Sequence, residues 1–293
     1  MTALSIPARG RRVAAIPPHA FFLVSAVFHY LGPAFAVLLF ARVDVLGVAW
    51  LRIATAAAVF AVWRRPWRRL ALLDAEGRRL LLAWGVVLAA MNACFYEAIS
   101  RLPLATVAAI EFVPVVVLAA IGARTARNAL ALLLAVGGVY SLTGVHIEGE
   151  PLAVGLALCN AVLFTLYIVI GHRVSRLGGM GGIDGLAGAM FVAAIVATPM
   201  AGWAAVPALT DPIALAAGVG VGVASSVIPY VCDQLAMARL PRPTYALLNS
   251  LLPTTATVIG VVVLAQLPSL VEIVGVGLVV AGVALHRAGP EAA

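Results

Sequence analysis

Lysine is absent from this chain, and all 19 basic residues are arginine. Charge of either sign is scarce, at 11% of 293 residues, where a soluble domain carries roughly 25%. That shortage excludes an ordinary water-soluble globule, which needs charge to cover its surface. Cysteine is rare as well. Cys94, Cys159 and Cys232 all fall within apolar runs, and their spacing suggests neither a disulfide framework nor a zinc site, so buried packing is the reading. The chain has no HExxH and no GxSxG, and its histidines stand mostly at the ends of apolar runs. The usual handles of an intramembrane enzyme are therefore missing.

What is present is apolar: 63% of the residues are hydrophobic, and the mean hydropathy is +1.09. The net charge of +7 invites thoughts of nucleic acid, but the arginines punctuate apolar segments and form no basic face, so no nucleic-acid partner is expected. Runs near the length of a bilayer span lie at about 20–40, 44–62, 80–100, 104–122 and 129–145. Five more lie at about 152–171, 183–204, 213–238, 244–264 and 269–286. The first is too long for the core of a cleaved signal peptide. The chain thus reads as an all-α membrane protein of ten transmembrane helices, with the lipid bilayer as its surroundings.

Arginine placement gives the orientation. Threading the ten runs puts sixteen arginines on one side, including Arg9, Arg11, Arg12, Arg64, Arg65, Arg68, Arg69, Arg124, Arg127, Arg239 and Arg242. The other side keeps Arg42 and Arg101, and Arg52 falls within the second run. Positive charge collects on the cytoplasmic side, so both termini are expected in the cytoplasm of a multi-pass protein of the cell membrane.

A hairpin at Met91–Gly122 organises the pattern. Two apolar runs meet at the corner Arg101-Leu102-Pro103, and the corner returns as Arg239-Leu240-Pro241, 138 residues later. Five helices per half turn the second half upside down. The expectation is two inverted five-helix repeats, at 18–145 and 151–287, with a substrate site between them near mid-membrane.

Glu111 lies eight residues after Pro103, so about 12 Å deep at the helical rise. A carboxylate at such depth costs roughly 2.5–3.5 kcal/mol on insertion scales and usually faces protein or water. Pro114, one turn on, frees a backbone carbonyl near it. Such a glutamate can accept a substrate ammonium, exchange a proton, or merely hold helix packing. Asn92, Tyr96 and Ser100 share one face of the third helix; Glu97 lies to the side, where it reaches water or pairs with Arg101. Asn160, Phe164 and Tyr167 share a face of the sixth helix, and Ser25, His29 and Gly32-Pro33 mark the first. In the eighth, Ser226, Pro229, Tyr230, Asp233 and Gln234 form a polar stripe, with Asp233 either a gate residue or the partner of Arg239 or Arg242. His29 reads as a helix contact or a proton switch. Arg52 reads as a structural anchor, costly unless it meets a carboxylate or helix carbonyls.

Two glycine patterns carry less. The stretch Gly178–Gly188, GGMGGIDGLAG, follows no strand, so it reads as a loop and not a nucleotide site. Gly218 and Gly222 make a GxxxG, which permits close helix approach and, with it, a homodimer.

These residues resemble a known family. The hairpin Met91-Asn92, Phe95-Tyr96, Leu102-Pro103-Leu104, Glu111-Phe112 and Pro114 is similar to the third and fourth helices of EamA-domain transporters. Those belong to the drug/metabolite transporter superfamily, and the likeness is nearest to its threonine/homoserine exporter branch. Pro229-Tyr230, Asp233 and Ala238-Arg239-Leu240-Pro241 resemble the eighth helix and its corner, and Leu51-Arg52 the second helix. The resemblance implies two inverted repeats that export a small amino-acid-like metabolite through a central cavity. The chain departs from the family at Leu252, where a glutamate is usual, at Ala265-Gln266, where glycine-glutamate is, and at Glu97, where an apolar residue is.

The resulting expectation is a secondary transporter with alternating access, no cofactor and no bound metal. Glu111 takes the ammonium or the coupling proton. Asn92, Tyr96, Asn160, Tyr167, Tyr230 and Asn249 shape the cavity, and Asp233, His29 and Glu97 are further gating or coupling candidates. The rivals are a transporter of another small metabolite or drug, an intramembrane enzyme, which needs a nucleophile or metal cluster, and a non-transporting scaffold, which needs no acids on cavity-facing stripes.

Overall fold

Each helix begins and ends where the local chemistry dictates. The computed structural model describes residues 16–122, 125–146, 150–176, 182–240, 248–249 and 251–285. Helix α1 (Pro18–Leu39) starts on Pro17-Pro18, proline being suited to a first turn whose N–H groups lack partners anyway. Helix α2 (Val45–Arg64) is capped by Asp44, whose side chain accepts from the Leu46 N–H, and stops where Arg65 turns left-handed before Pro66. Helix α3 (Ala75–Ile99) starts earlier than its apolar run, because Asp74 caps it through the Gly77 N–H and admits a polar first turn. Helices α4 (Leu104–Gly122), α5 (Ala126–His146) and α6 (Pro151–Arg176) complete the first six.

Helix α7 (Ile183–Ala201) runs on through a 3₁₀ turn at Gly202–Ala205 and a short helix at Val206–Thr210. Asp211 caps α8, which spans Pro212–Gly222, a π turn at Val223–Val227, and Ile228–Met237. Helix α9 (Leu252–Leu264) and helix α10 (Leu270–Leu285) end the described chain. Ser269 and Glu272 form a capping box at the start of α10: the Ser269 N–H reaches the carboxylate at 2.8 Å and the Glu272 N–H reaches the hydroxyl at 3.3 Å. The N-terminal arginines, Pro241, Arg242 and residues 178–181 of the glycine-rich stretch lie outside the described residues, whereas from Ile183 on that stretch, expected as a loop, is the start of α7.

Among the described residues, six helical segments are long and apolar enough to cross a membrane: α1, α2, α3, α6, α7 with its extension, and α8. Four shorter apolar segments, in α4, α5, α9 and α10, stand between and after them. Leu23, Leu133, Ile195 and Val262 point outward where a soluble protein would carry charge, so the outer surface suits lipid.

In lipid, helices are drawn together by close packing and not by water exclusion. A Cβ on Gly138 of α5 would sit 2.6 Å from the Gly275 carbonyl oxygen of α10, so these backbones touch as only glycine permits. Gly282 meets Ala131 and Ala135, which makes α5 and α10 antiparallel. Helices α2 and α7 are antiparallel too. The Trp50 indole N–H near the start of α2 donates to Thr198 Oγ1 near the end of α7 at 2.9 Å, and Arg64 at the end of α2 meets Asp184 at the start of α7 at 2.5 Å. Gly218 and Gly222 of α8 face Leu51 and Thr55 of α2 in the same chain, so that GxxxG serves internal packing.

The two corners are built alike. In the first, the Arg101 and Leu102 N–H groups both donate to the Ala98 carbonyl, at 3.1 and 2.8 Å; in the second, Arg239 and Leu240 donate to Ala236, at 3.0 and 2.8 Å. Leu102 and Leu240 are both buried. The short sequence match is thus also a match of backbone geometry as far as Leu240.

Candidate functional site

Six helices bring polar groups to one small cavity. Its walls are His29 and Pro33 from α1, Arg52 from α2, Met91, Asn92 and Phe95 from α3, Glu111 from α4, Asn160 and Phe164 from α6, and Tyr230 from α8. The free volume is about 20 Å³, room for a water-sized group.

Glu111 is 5% exposed, and its Oε1 accepts from the Asn160 Nδ2 at 3.1 Å. That bond joins α4 to α6, one helix from each half of the chain. Asn92 is held by its own helix, donating from Nδ2 to the Leu88 carbonyl at 2.8 Å. Both amide oxygens, Asn92 Oδ1 and Asn160 Oδ1, are buried without a hydrogen-bond partner among the described residues. Unsatisfied buried acceptors cost roughly 1–3 kcal/mol each, so their gathering in one cavity needs a reason.

Arg52, 5% exposed, enters from the other side. Its Nε donates to Ser226 Oγ at 2.8 Å and its Nη2 to the Ser225 carbonyl at 3.2 Å. The guanidinium also lies 5.3 Å from the centre of the Tyr96 ring. Proline explains the carbonyl. Pro229 has no N–H for the oxygen four residues earlier, so the Ser225 carbonyl is free to take the arginine, and the helix relaxes into its π turn there. The Pro229 carbonyl in turn accepts from Ser25 Oγ of α1 at 3.1 Å.

Among the described residues, neither Arg52 nor Glu111 has an opposite charge within 4.0 Å. Both charges face the same cavity. The other acids behave differently. Glu97 takes the rim reading, with Oε2 bound to Arg101 Nη1 at 2.6 Å. Asp184 joins Arg64 and Arg69, the latter at 3.2 Å, and Asp211 lies 3.6 Å from Arg42.

The polar stripes divide. Asn92 lines the cavity, whereas Tyr96 is wholly buried behind it against Arg52 and Phe40, and Ser100 donates to the Glu97 carbonyl at the corner. Asn160 and Phe164 line it, and Tyr167 stacks between Phe164 and Tyr230 at its edge. The His29 ring lies between those of Tyr30 and Tyr230. Asp233 and Asn249 are half-buried and outside the cavity lining.

Arg52 is the residue whose place the sequence reading undervalued. A signal was available: Arg52 lies eight residues after the cap Asp44, as Glu111 lies eight after Pro103, so both sit about 12 Å into their helices. Read singly, Arg52 looked like an anchor. It is one, but it also faces the cavity.

A second recess of about 150 Å³ is lined by Pro103, Ala105, Thr257, Gly260, Gln266, Leu267, Pro268 and Glu272. It is roomier, yet its polar groups serve the backbone. Gln266 Oε1 accepts from the Leu104 N–H at 3.0 Å, capping α4 from the other half, and Glu272 caps α10. The first cavity is the better site because its polar groups face inward.

Comparison with known proteins gives the family. Residues 151–287 match the EamA-like transporter family. The threonine/homoserine exporter RhtA of Salmonella typhimurium strain LT2 is 30% identical over 284 residues, covering 94% of this chain and 93% of that protein. The exporter of the same name from Escherichia coli strain K12 is 29% identical over the same shares. A protein of known crystal structure, 20% identical, superposes with a TM-score of 0.58 over 91% of this chain and 96% of its own, a likeness of fold.

Proposed function

Because this chain belongs to the EamA-like transporter family, we propose that it exports small amino-acid-like metabolites across the cytoplasmic membrane by alternating access. The chain is a membrane transporter and not an enzyme. The observation that carries the substrate reading is the small polar cavity whose Glu111–Asn160 bond joins the two halves. Threonine and homoserine, which the relatives export by name, are the first substrates to try.

Ten spans in two inverted repeats, 18–145 and 151–287, form the frame of this reading. Its support is the direction of the matched helices. Helices five apart in the chain, α2 with α7 and α5 with α10, pack antiparallel. Repeats related by an axis along the membrane normal would make them parallel. The alike corners at Arg101-Leu102 and Arg239-Leu240 support it further. The arginine bias supports cytoplasmic termini. A homodimer would need a surface other than Gly218 and Gly222. Cysteine placed at Leu72 in a variant free of native cysteine should resist labelling from outside, and cysteine at Leu267 should react; the reverse pattern would invert the orientation.

In this reading the two halves rock around the site in alternating access. Glu111 attracts a substrate ammonium or carries the coupling proton, and the Asn160 bond is remade as the halves rock. Purified protein in proteoliposomes, loaded with threonine under an imposed pH gradient, tests this. Glu111→Gln keeps the shape and an amide for Asn160, and gradient-driven export should fall by roughly tenfold or more, the scale of one charge-assisted contact. Normal export and normal affinity in that variant would leave Glu111 a packing residue.

A further inference from the structure

Two opposite charges that line one cavity and, among the described residues, form no ion pair ask for a ligand that carries both. Burying an ion without a counter-charge is expensive, and the expense is met only when partners and hydrogen bonds are well placed. Arg52 has neutral partners: a hydroxyl, a carbonyl and an aromatic ring. Two of its five N–H donors are engaged by these hydrogen bonds. Glu111 has one neutral partner, the Asn160 amide, on a single oxygen.

The rest of the lining is sorted by sign. Asn92 Oδ1 and Asn160 Oδ1 are buried acceptors without partners, and with Glu111 they make an acceptor wall drawn from α3, α4 and α6. An ammonium has three donors and no acceptor. On α2 stands the one guanidinium of the lining among the described residues, a planar fork that matches a carboxylate. A site meant for a neutral solute would have no use for this division.

We propose that the cavity reads its substrate as a zwitterion: Arg52 takes the α-carboxylate, and the wall of Glu111, Asn92 and Asn160 takes the α-ammonium. This rests on the reading of the chain as an amino-acid exporter and goes beyond it by naming which residue recognises which end. It also accounts for the proline at 229. By freeing the Ser225 carbonyl, Pro229 holds the guanidinium in place with neutral contacts. A carboxylate at that position would cancel the charge that the substrate needs. Arg52 is therefore a specificity residue as well as an anchor.

The test uses the intact purified protein and three ligands that differ at one end. L-threonine keeps both charges, L-threonine amide loses the carboxylate, and N-acetyl-L-threonine loses the ammonium. Competition against radiolabelled threonine gives their affinities. Each single-ended ligand should bind roughly tenfold or more weakly than threonine, because each leaves a buried charged group unanswered. In Arg52→Gln the preference for the acid over the amide should shrink toward unity, while the preference for the free amine stays. In Glu111→Gln the reverse should hold. Wild-type protein that binds the amide as tightly as threonine would overturn the role of Arg52 while leaving amino-acid export intact. Absence of binding or efflux for threonine, homoserine and every other amino acid tried would overturn the exporter reading and this inference with it. Should Arg52→Gln fail to fold, the ligand series on the wild type still decides.

Discussion

Helix α2 carries an arginine to the second half of the chain twice, and the two places are opposites. At its end, Arg64 meets a carboxylate, Asp184, which also holds Arg69. At its middle, Arg52 meets a hydroxyl, a freed carbonyl and an aromatic ring. At the end, side chains are partly exposed and charge answers charge, so the arrangement is complete. In the middle, the guanidinium is held by dipoles, with no carboxylate within 4.0 Å among the described residues. The difference separates an ion pair that fixes two helices from a charge held ready for a ligand.

Breaking the middle contact should have the largest effect. Arg52→Leu leaves Ser226 Oγ and the Ser225 carbonyl without their donor in a buried place. We expect a loss of about 2–4 kcal/mol in stability, from two hydrogen bonds to a charged group, together with loss of export. Unfolding in detergent and efflux from loaded cells measure the two effects; a stable, active Arg52→Leu would remove the distinction between the sites.

Asp184→Asn should do less. It removes the shared counter-charge of Arg64 and Arg69 in a partly buried place, so a loss of about 1–2 kcal/mol is expected, with substrate affinity unchanged. A large change in affinity would mean that the end of α2 belongs to the transport site after all. The smallest effect should come from Glu97→Gln. Its pair with Arg101 is an i,i+4 contact at the rim, worth about 0.3–0.5 kcal/mol, and export should continue at the normal rate.

Much of this arrangement was legible in the sequence, for a definite reason. Polar residues are so rare in these apolar runs that each one stands out, and Glu111, Asn92, Asn160, Tyr230 and His29 all reach the cavity. The apolar runs themselves gave the helices, with ends moved by caps such as Asp74 that lie outside any hydropathy signal. Less legible was what a polar residue does once buried. Tyr96 shares the face of Asn92 in sequence, but one turn further on its ring backs Arg52 and leaves the lining to Phe95. Asn249 has the chemistry for the site and stands elsewhere. Arg52 was read for its cost, and cost depends on partners that come from α8, more than 170 residues away in the chain. No local pattern carries that information.

The π turn at Val223–Val227 has a meaning for the chain's phase. One residue inserted into a helix rotates everything beyond it by about 100° while adding little length. The face of α8 that Pro212–Gly222 turns toward α2 is therefore not the face that Ile228–Met237 would present in a regular helix. Tyr230, beyond this turn, lines the cavity. A single deletion within the turn would restore regularity, swing Tyr230 and Asp233 round the axis, and leave the apolar span as good as before. Insertion machinery and hydropathy would register no fault in such a chain, yet its eighth helix would face the wrong way.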